Sequence, residues 1–267
     1  MNVIAELGRG IGELASRALD LALPATCAGC GREGAALCVD CLPALDARLD
    51  LAPGVPIGLP GDVPEPLAQV EWCASFGGVT RRAVHRLKYA GDRRLGEPLG
   101  AAVGRRWLRA GAGGDVLVPV PASPDRVADR GYDQAELLAR AAGRVCGLPV
   151  RLLLERTRRT TAQFDLDRPA RAGNVAGAFR LRPGSSIDDS GPPAALGTPP
   201  VREDAAVNGT VPPAALDGSA GARGLDGAWV VLVDDVLTTG STLGACARVL
   251  LGHGALAVSA ITVARER

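Results

Sequence analysis

Aromatic residues are scarce, at 3% of the 267-residue chain, and only two histidines occur. His85 and His253 lie near a basic helix and a helix end, as surface or cap residues rather than catalysts. Charge is almost balanced, at a formal +1. That excludes a whole-protein field recruiting nucleic acid or membrane and leaves only local patches. No run of about 18 or more uncharged apolar residues occurs, so no membrane span is expected. Residues 3–23 place Val3, Leu7, Ile11, Leu14, Ala18 and Leu21 at helical spacing. The interleaved Glu6, Arg9, Glu13, Arg17 and Asp20 exclude a secretory apolar core. No Trp or Phe anchors this helix in a membrane surface, so it is expected to pack on the module that follows. Four of the seven cysteines fall in two C-x-x-C pairs, a pattern of metal binding in a reducing compartment rather than of disulfides. The expectation is a soluble, cytoplasmic protein, with 47% hydrophobic residues to build its core.

The chain is organised around Val230 to Leu243, VVLVDDVLTTGSTL. Val230 to Val233 read as a fully buried strand, ending on Asp234 and Asp235. Thr238, Thr239, Gly240, Ser241 and Thr242 follow as a small polar loop, and LGACARVLL then has helical character. A strand, an acidic pair and a hydroxyl-rich loop opening a helix form a phosphate site of the α/β kind. The unpaired amides of a helix N-terminus and its dipole favour an anion. Gly240 permits close backbone approach, and the hydroxyls add donors without bulk. Two carboxylates beside a phosphate would repel it unless sugar hydroxyls or a divalent cation lie between. A ribose 5-phosphate meets both demands, with phosphate in the loop and hydroxyls on the aspartates. The stretch resembles the phosphoribosyl pyrophosphate (PRPP) motif of type I phosphoribosyltransferases.

Cys27, Cys30, Cys38 and Cys41 form two knuckles with glycines at 29 and 31. Four thiolates suit tetrahedral, structural Zn²⁺ with no open position, which would supply folding energy to a segment with almost no core of its own. Residues 43–66 are rich in Pro and Gly and read as a linker. Boundaries follow as 1–24 for the amphipathic helix, 25–45 for the zinc module, 46–70 for the linker and 71–267 for the main domain.

Within that domain, Trp72 to Gly78 reads as a strand and Thr80 to Arg94 as a basic helix. Arg82, Arg86 and Tyr89 share one stripe. Such a stripe either follows single-stranded nucleic acid, with a ring among cations, or is a solvated face. Val116 to Val120 is a strand, followed by a loop from Pro121 to Tyr132. Asp133 and Glu136 make a capping box for a helix to about Val145. Strands are expected at Val150–Leu154, Ala178–Leu181 and Ala257–Val263. Between them lies a polar, basic loop with Arg158, Arg159, Thr161 and Gln163. Residues 183–226, rich in Pro, Gly, Ser and Ala, read as a disordered insertion. Strands alternating with helices predict an α/β fold with a parallel twisted sheet, joined to a small zinc-ribbon-like module.

The cysteine pairs, HRLKYAGDRR, PVP with RGYDQAELLA, TTAQ, RAGNVAGAF and VLVDDVLTTGSTL together resemble the ComF family over nearly the full chain except the insertion. The resemblance implies a phosphoribosyltransferase-like domain behind a four-cysteine zinc module and a link to DNA uptake in natural transformation. It implies PRPP and Mg²⁺ as ligands, with single-stranded DNA and other DNA-uptake proteins as partners. Asp234 and Asp235 would hold ribose hydroxyls, and Thr238 to Thr242 the 5-phosphate. Arg130 would face pyrophosphate, and the loop around Arg158 to Gln163 would cover the reacting centre. The family usually reads RGFNQ where this chain has Arg130-Gly131-Tyr132-Asp133-Gln134. Asp133 caps a helix as well as Asn does, but beside pyrophosphate it would add repulsion.

Overall fold

A computed structural model describes residues 25–53, 64–110, 113–157, 177–187 and 225–266. Four strands, β1 (Val70–Ser75), β2 (Val116–Pro119), β5 (Trp229–Leu237) and β6 (Ala257–Arg265), pair in parallel in the order β1-β6-β5-β2. The expected α/β architecture is therefore present. Strand β5 lies inside the sheet because Val230 to Val233 are apolar on both faces and fully buried, as parallel strands covered by helices require.

Alternation along β5 divides the core. Val231 and Val233 join a cluster with helices α1 (Gly78–Tyr89), α2 (Gly96–Arg109) and α4 (Gln134–Cys146). Val230 and Leu232 face helix α5 (Ser241–Leu251) and a separate antiparallel hairpin, β3 (Leu154–Arg156) with β4 (Phe179–Leu181). The cysteine module belongs to the first cluster: Cys27, Leu37 and Leu45 share a core with Val84, Leu87 and Val103.

Several sequence-based expectations shift. The acidic pair does not end its strand. Asp234 and Val236 are still in register with Thr262 and Ala264 of β6, because β6 runs on to Arg265, past the expected end at Val263, and continues to offer ladder partners. Val150–Leu154 is not a full strand; Val150 makes a single bridge to Leu117, and the chain then leaves the sheet for the hairpin. The loop after β2 contains a short helix, α3 (Pro124–Arg130), with Pro at its start and left-handed Gly131 at its end, the usual helix punctuation. Helix α2 escaped the sequence reading because Gly96, Gly100 and Gly104 weaken its helical pattern. Their purpose is tertiary. A Cβ on Gly100 would stand 2.5 Å from both the Leu138 carbonyl oxygen and the Ala141 Cβ, so the glycines let α2 approach α4 closely.

The described part of the expected linker is docked. Arg106 and Glu71, at 1% and 0% exposure, pair at 2.6 Å. Arg106 also donates to the carbonyls of Arg48 and Leu51, each at 2.7 Å. Arg48 lies 3.9 Å over the Trp72 ring. Polar satisfaction makes this buried charge tolerable. At the other flank, Pro64 and Glu65 run beside α5, where a Cβ on Gly244 would meet the Glu65 carbonyl at 2.9 Å. The edges of the expected insertion are also placed: Ile187 accepts from Arg151, and Leu225 is buried. The amphipathic helix expected at 3–23 and the interior of the insertion lie outside the described residues.

Candidate functional site

Because strand side chains alternate, Asp234 and Asp235 leave β5 toward opposite faces. Asp235 turns toward α1, and its Oδ1 lies 3.0 Å from Lys88 Nζ. Its Oδ2 is buried and has no hydrogen-bond partner among the described residues. Asp234 accepts from the Asp235 backbone N–H at 2.8 Å and senses Arg156 of β3 and Cys246 of α5 on the other face. Burial, and then the Asp235 charge, push the Asp234 carboxyl up to about 8, against the pull of the Asp235 amide and Lys88. A pair held this way is short of donors. Ligand hydroxyls or a cation would supply them.

Beyond the pair, Thr238 and Thr239 are exposed. Gly240 occupies the left-handed region at φ +77° and sits at the N-cap of α5 without a side-chain cap. Thr239 and Ser241 hydroxyls meet at 2.9 Å, and Thr242 is half-buried in the first turn. The Ser241 N–H donates to the Thr239 hydroxyl oxygen at 3.4 Å, and the remaining first-turn amides, with no side-chain cap from Gly240, suit an anion. A Cβ at Gly240 would also strike Pro64 at 2.5 Å, so glycine is required there both by conformation and by packing.

The loop after β2 closes the other side. Asp133 caps α4 through Ala135 N (2.9 Å), while its second oxygen accepts from Ala122 N at 2.8 Å. Both oxygens thus serve the backbone, and burial raises the carboxyl above the usual range. The expected capping box is half formed: Glu136 turns to Arg140 at 2.7 Å. Arg130 donates to Gln134 at 2.8 Å and stands 5.4 Å over the Tyr89 ring. The Tyr132 hydroxyl donates to the Leu87 carbonyl, tying this turn to the end of α1. Arg93 stacks over Tyr132 at 4.8 Å.

The stripe of Arg82, Arg86 and Tyr89 divides. Arg82 donates to the carbonyls of Ala28 (3.2 Å) and Gly29 (2.7 Å). Arg86 donates to the Thr26 carbonyl at 2.9 Å and pairs with Asp92 at 2.7 Å. These arginines clamp the cysteine module onto α1, which neither alternative for the stripe anticipated. Tyr89 is 67% exposed and belongs with Arg130.

The ligand atoms of Cys27, Cys30, Cys38 and Cys41 all lie within 4.8 Å of one another. Gly29 N and Cys38 N each donate to Cys27 Sγ at 3.3 Å. Burial pushes the Cys27 thiol up, but amide hydrogen bonds outweigh it and bring it down to about 6. Burial and the neighbouring sulfurs push Cys41 up to about 12. Four thiolates at once need a cation among them, so the donor set fits tetrahedral zinc. Arg158, Arg159, Thr161 and Gln163 lie outside the described residues. Lys88 and Arg156 were missed at the sequence level. The available signal for Lys88 was its being the only lysine in the chain; Arg156 had none apart from a basic neighbourhood.

Residues 200–267 match the phosphoribosyl transferase domain family, a span containing β5, the hydroxyl loop, α5 and β6. No curated protein matches significantly. Similar solved structures include glutamine PRPP amidotransferase from B. subtilis complexed with ADP and GMP. It is 17% identical with a TM-score of 0.34, over 63% of this chain and 26% of that one. Another is described as the allosteric regulatory enzyme of purine biosynthesis, at 16% identity and TM-score 0.35, over the same shares. The chain thus spans about a quarter of the length of these structures. What the comparisons establish is local: the segment carrying the acidic pair and the hydroxyl loop is similar to a phosphoribosyl transferase domain.

Proposed function

We propose that the chain binds PRPP across the end of β5, with ribose hydroxyls on Asp234 and Asp235 and the 5-phosphate at Thr238 to Thr242. The observation carrying this reading is the buried Asp235 Oδ2, which has no partner among the described residues, in an acidic pair that precedes a helix N-terminus whose N-cap Gly240 offers no side-chain cap. Hydroxyl donors satisfy the first and a phosphate the second. Mg²⁺ would arrive with the pyrophosphate and offset its charge. Arg130, beside Tyr89, supports the pyrophosphate end. Asp133 is engaged with backbone amides and serves as a structural cap.

Turnover would displace pyrophosphate from C1 by a nitrogen base, mainly through positioning and electrostatics. Pyrophosphate release from Mg–PRPP, with and without purine and pyrimidine bases, tests it, with Asp234→Asn/Asp235→Asn as blank. Base-dependent release lost in the variant establishes a transferase. PRPP binding without release makes PRPP a ligand. No PRPP binding by the folded wild type sinks the proposal.

A ComF-type role in DNA uptake is the finer reading. It is supported by the docked cysteine module and by an open groove of about 430 Å³ lined by Ala28, Gly78, Arg81, Arg82, His85 and Arg86. Arg82 and Arg86 are engaged with backbone carbonyls, so Arg81 is the cleaner probe for single-stranded DNA. Arg81→Ala should weaken DNA binding and reduce its salt dependence.

A further inference from the structure

Lys88 is the chain's only lysine; all its other Lys/Arg positions are arginine. Two arginines of α1 use their planar forks on fixed backbone carbonyls. A lysine offers a compact ammonium with three rotatable donors instead. Lys88 has one partner among the described residues, Asp235 at 3.0 Å, and its side chain keeps 22% exposure. The backbone beneath it is held firmly. The Tyr132 hydroxyl grips the preceding Leu87 carbonyl, and the Ala90 N–H closes the last turn on Arg86.

The two faces of the sheet give this ammonium a direction. The hydroxyl loop opens α5, which packs on the face of Val230, Leu232 and Asp234. Lys88 reaches Asp235 from the opposite face, where Tyr89 and Arg130 also meet. A ribose 5-phosphate lying across the strand end, with its phosphate at α5 and its hydroxyls on the acidic pair, would have its C1 substituent within reach of that opposite face. We propose that Lys88 is a binding residue for the diphosphate on C1 of PRPP, bridging it to Asp235. This inference rests on the PRPP reading and adds to it the residue that distinguishes PRPP from ribose 5-phosphate.

Isothermal titration of wild type and Lys88→Met with Mg–PRPP and, separately, with ribose 5-phosphate tests the proposal. Loss of one charge-assisted contact corresponds to roughly tenfold in affinity. The expected result is a loss of about that size for PRPP and less than about twofold for ribose 5-phosphate. Equal losses for both ligands, or no loss for either, would show that Lys88 serves Asp235 alone and overturn the proposal. Wild type binding neither ligand would overturn the PRPP reading and this inference with it. Wild type binding PRPP with an unselective Lys88→Met would remove only this inference. If Lys88→Met fails to melt cooperatively, Lys88→Gln replaces it, since an amide can still donate to Asp235 without the charge. The same split between the ligands is then required.

Discussion

The basic residues of α1 fall into two sets that perform different work. Toward the cysteine module, Arg82 and Arg86 are bonded to carbonyls at Thr26, Ala28 and Gly29. At the C-terminal end of the helix, Lys88 faces an aspartate whose second oxygen is buried without a partner among the described residues. Charge in the first region completes a structure, whereas the second has acceptors to spare. Buried polar groups in folded proteins are ordinarily satisfied, so an orphan asks for an explanation. The presence of basic residues therefore identifies neither region. The balance of donors against acceptors distinguishes them.

The largest way to break this contrast is to chelate the metal that the four cysteines of the module would hold. Structural zinc contributes on the order of 10 kcal/mol in small zinc domains. Chelation should dissociate residues 25–45 from α1 and lower the melting temperature of the whole protein, because Cys27, Leu37 and Leu45 share the main core. Differential scanning calorimetry with and without chelator checks this; an unchanged melt in a metal-free protein contradicts it.

At the site itself, Asp234→Asn should sharpen the contrast by leaving the fold intact while changing its pH dependence. The Asp234 carboxyl rises from an ordinary 3.8 to about 8 on folding. Its contribution to stability is fully present below about 3.8 and is lost as pH rises through about 8. Each pH unit between those values costs at most ~1.4 kcal/mol. Urea unfolding at pH 5, 6.5 and 8 should show a smaller decline with pH in Asp234→Asn than in wild type. Parallel declines would mean that Asp234 does not bind a proton on folding.

The smallest expected effect is at Arg82→Ala. It removes two partly exposed hydrogen bonds to the module, worth roughly 1 kcal/mol in all. A modestly lower melting temperature with unchanged PRPP affinity would confirm that the set facing the cysteine module is structural. Lost PRPP affinity with an unchanged melt would reverse the assignment of the two sets.

The amino-acid sequence by itself determined the elements with strong local signals. The buried run before Asp234 became β5, Asp133 became the cap of α4, and the four cysteines came together. Apolar runs, capping residues and thiol spacing act over a few residues, so they are readable without a fold. Tertiary structure alone decided that Gly96, Gly100 and Gly104 belong to a helix, because their value appears only against α4. It also separated Asp234 and Asp235 onto two faces, turned Arg82 and Arg86 from a surface stripe into a clamp, and brought Lys88 to Asp235. Residues 88 and 235 meet through packing of α1 on the sheet, and no local pattern encodes which distant carboxylate a cation will find.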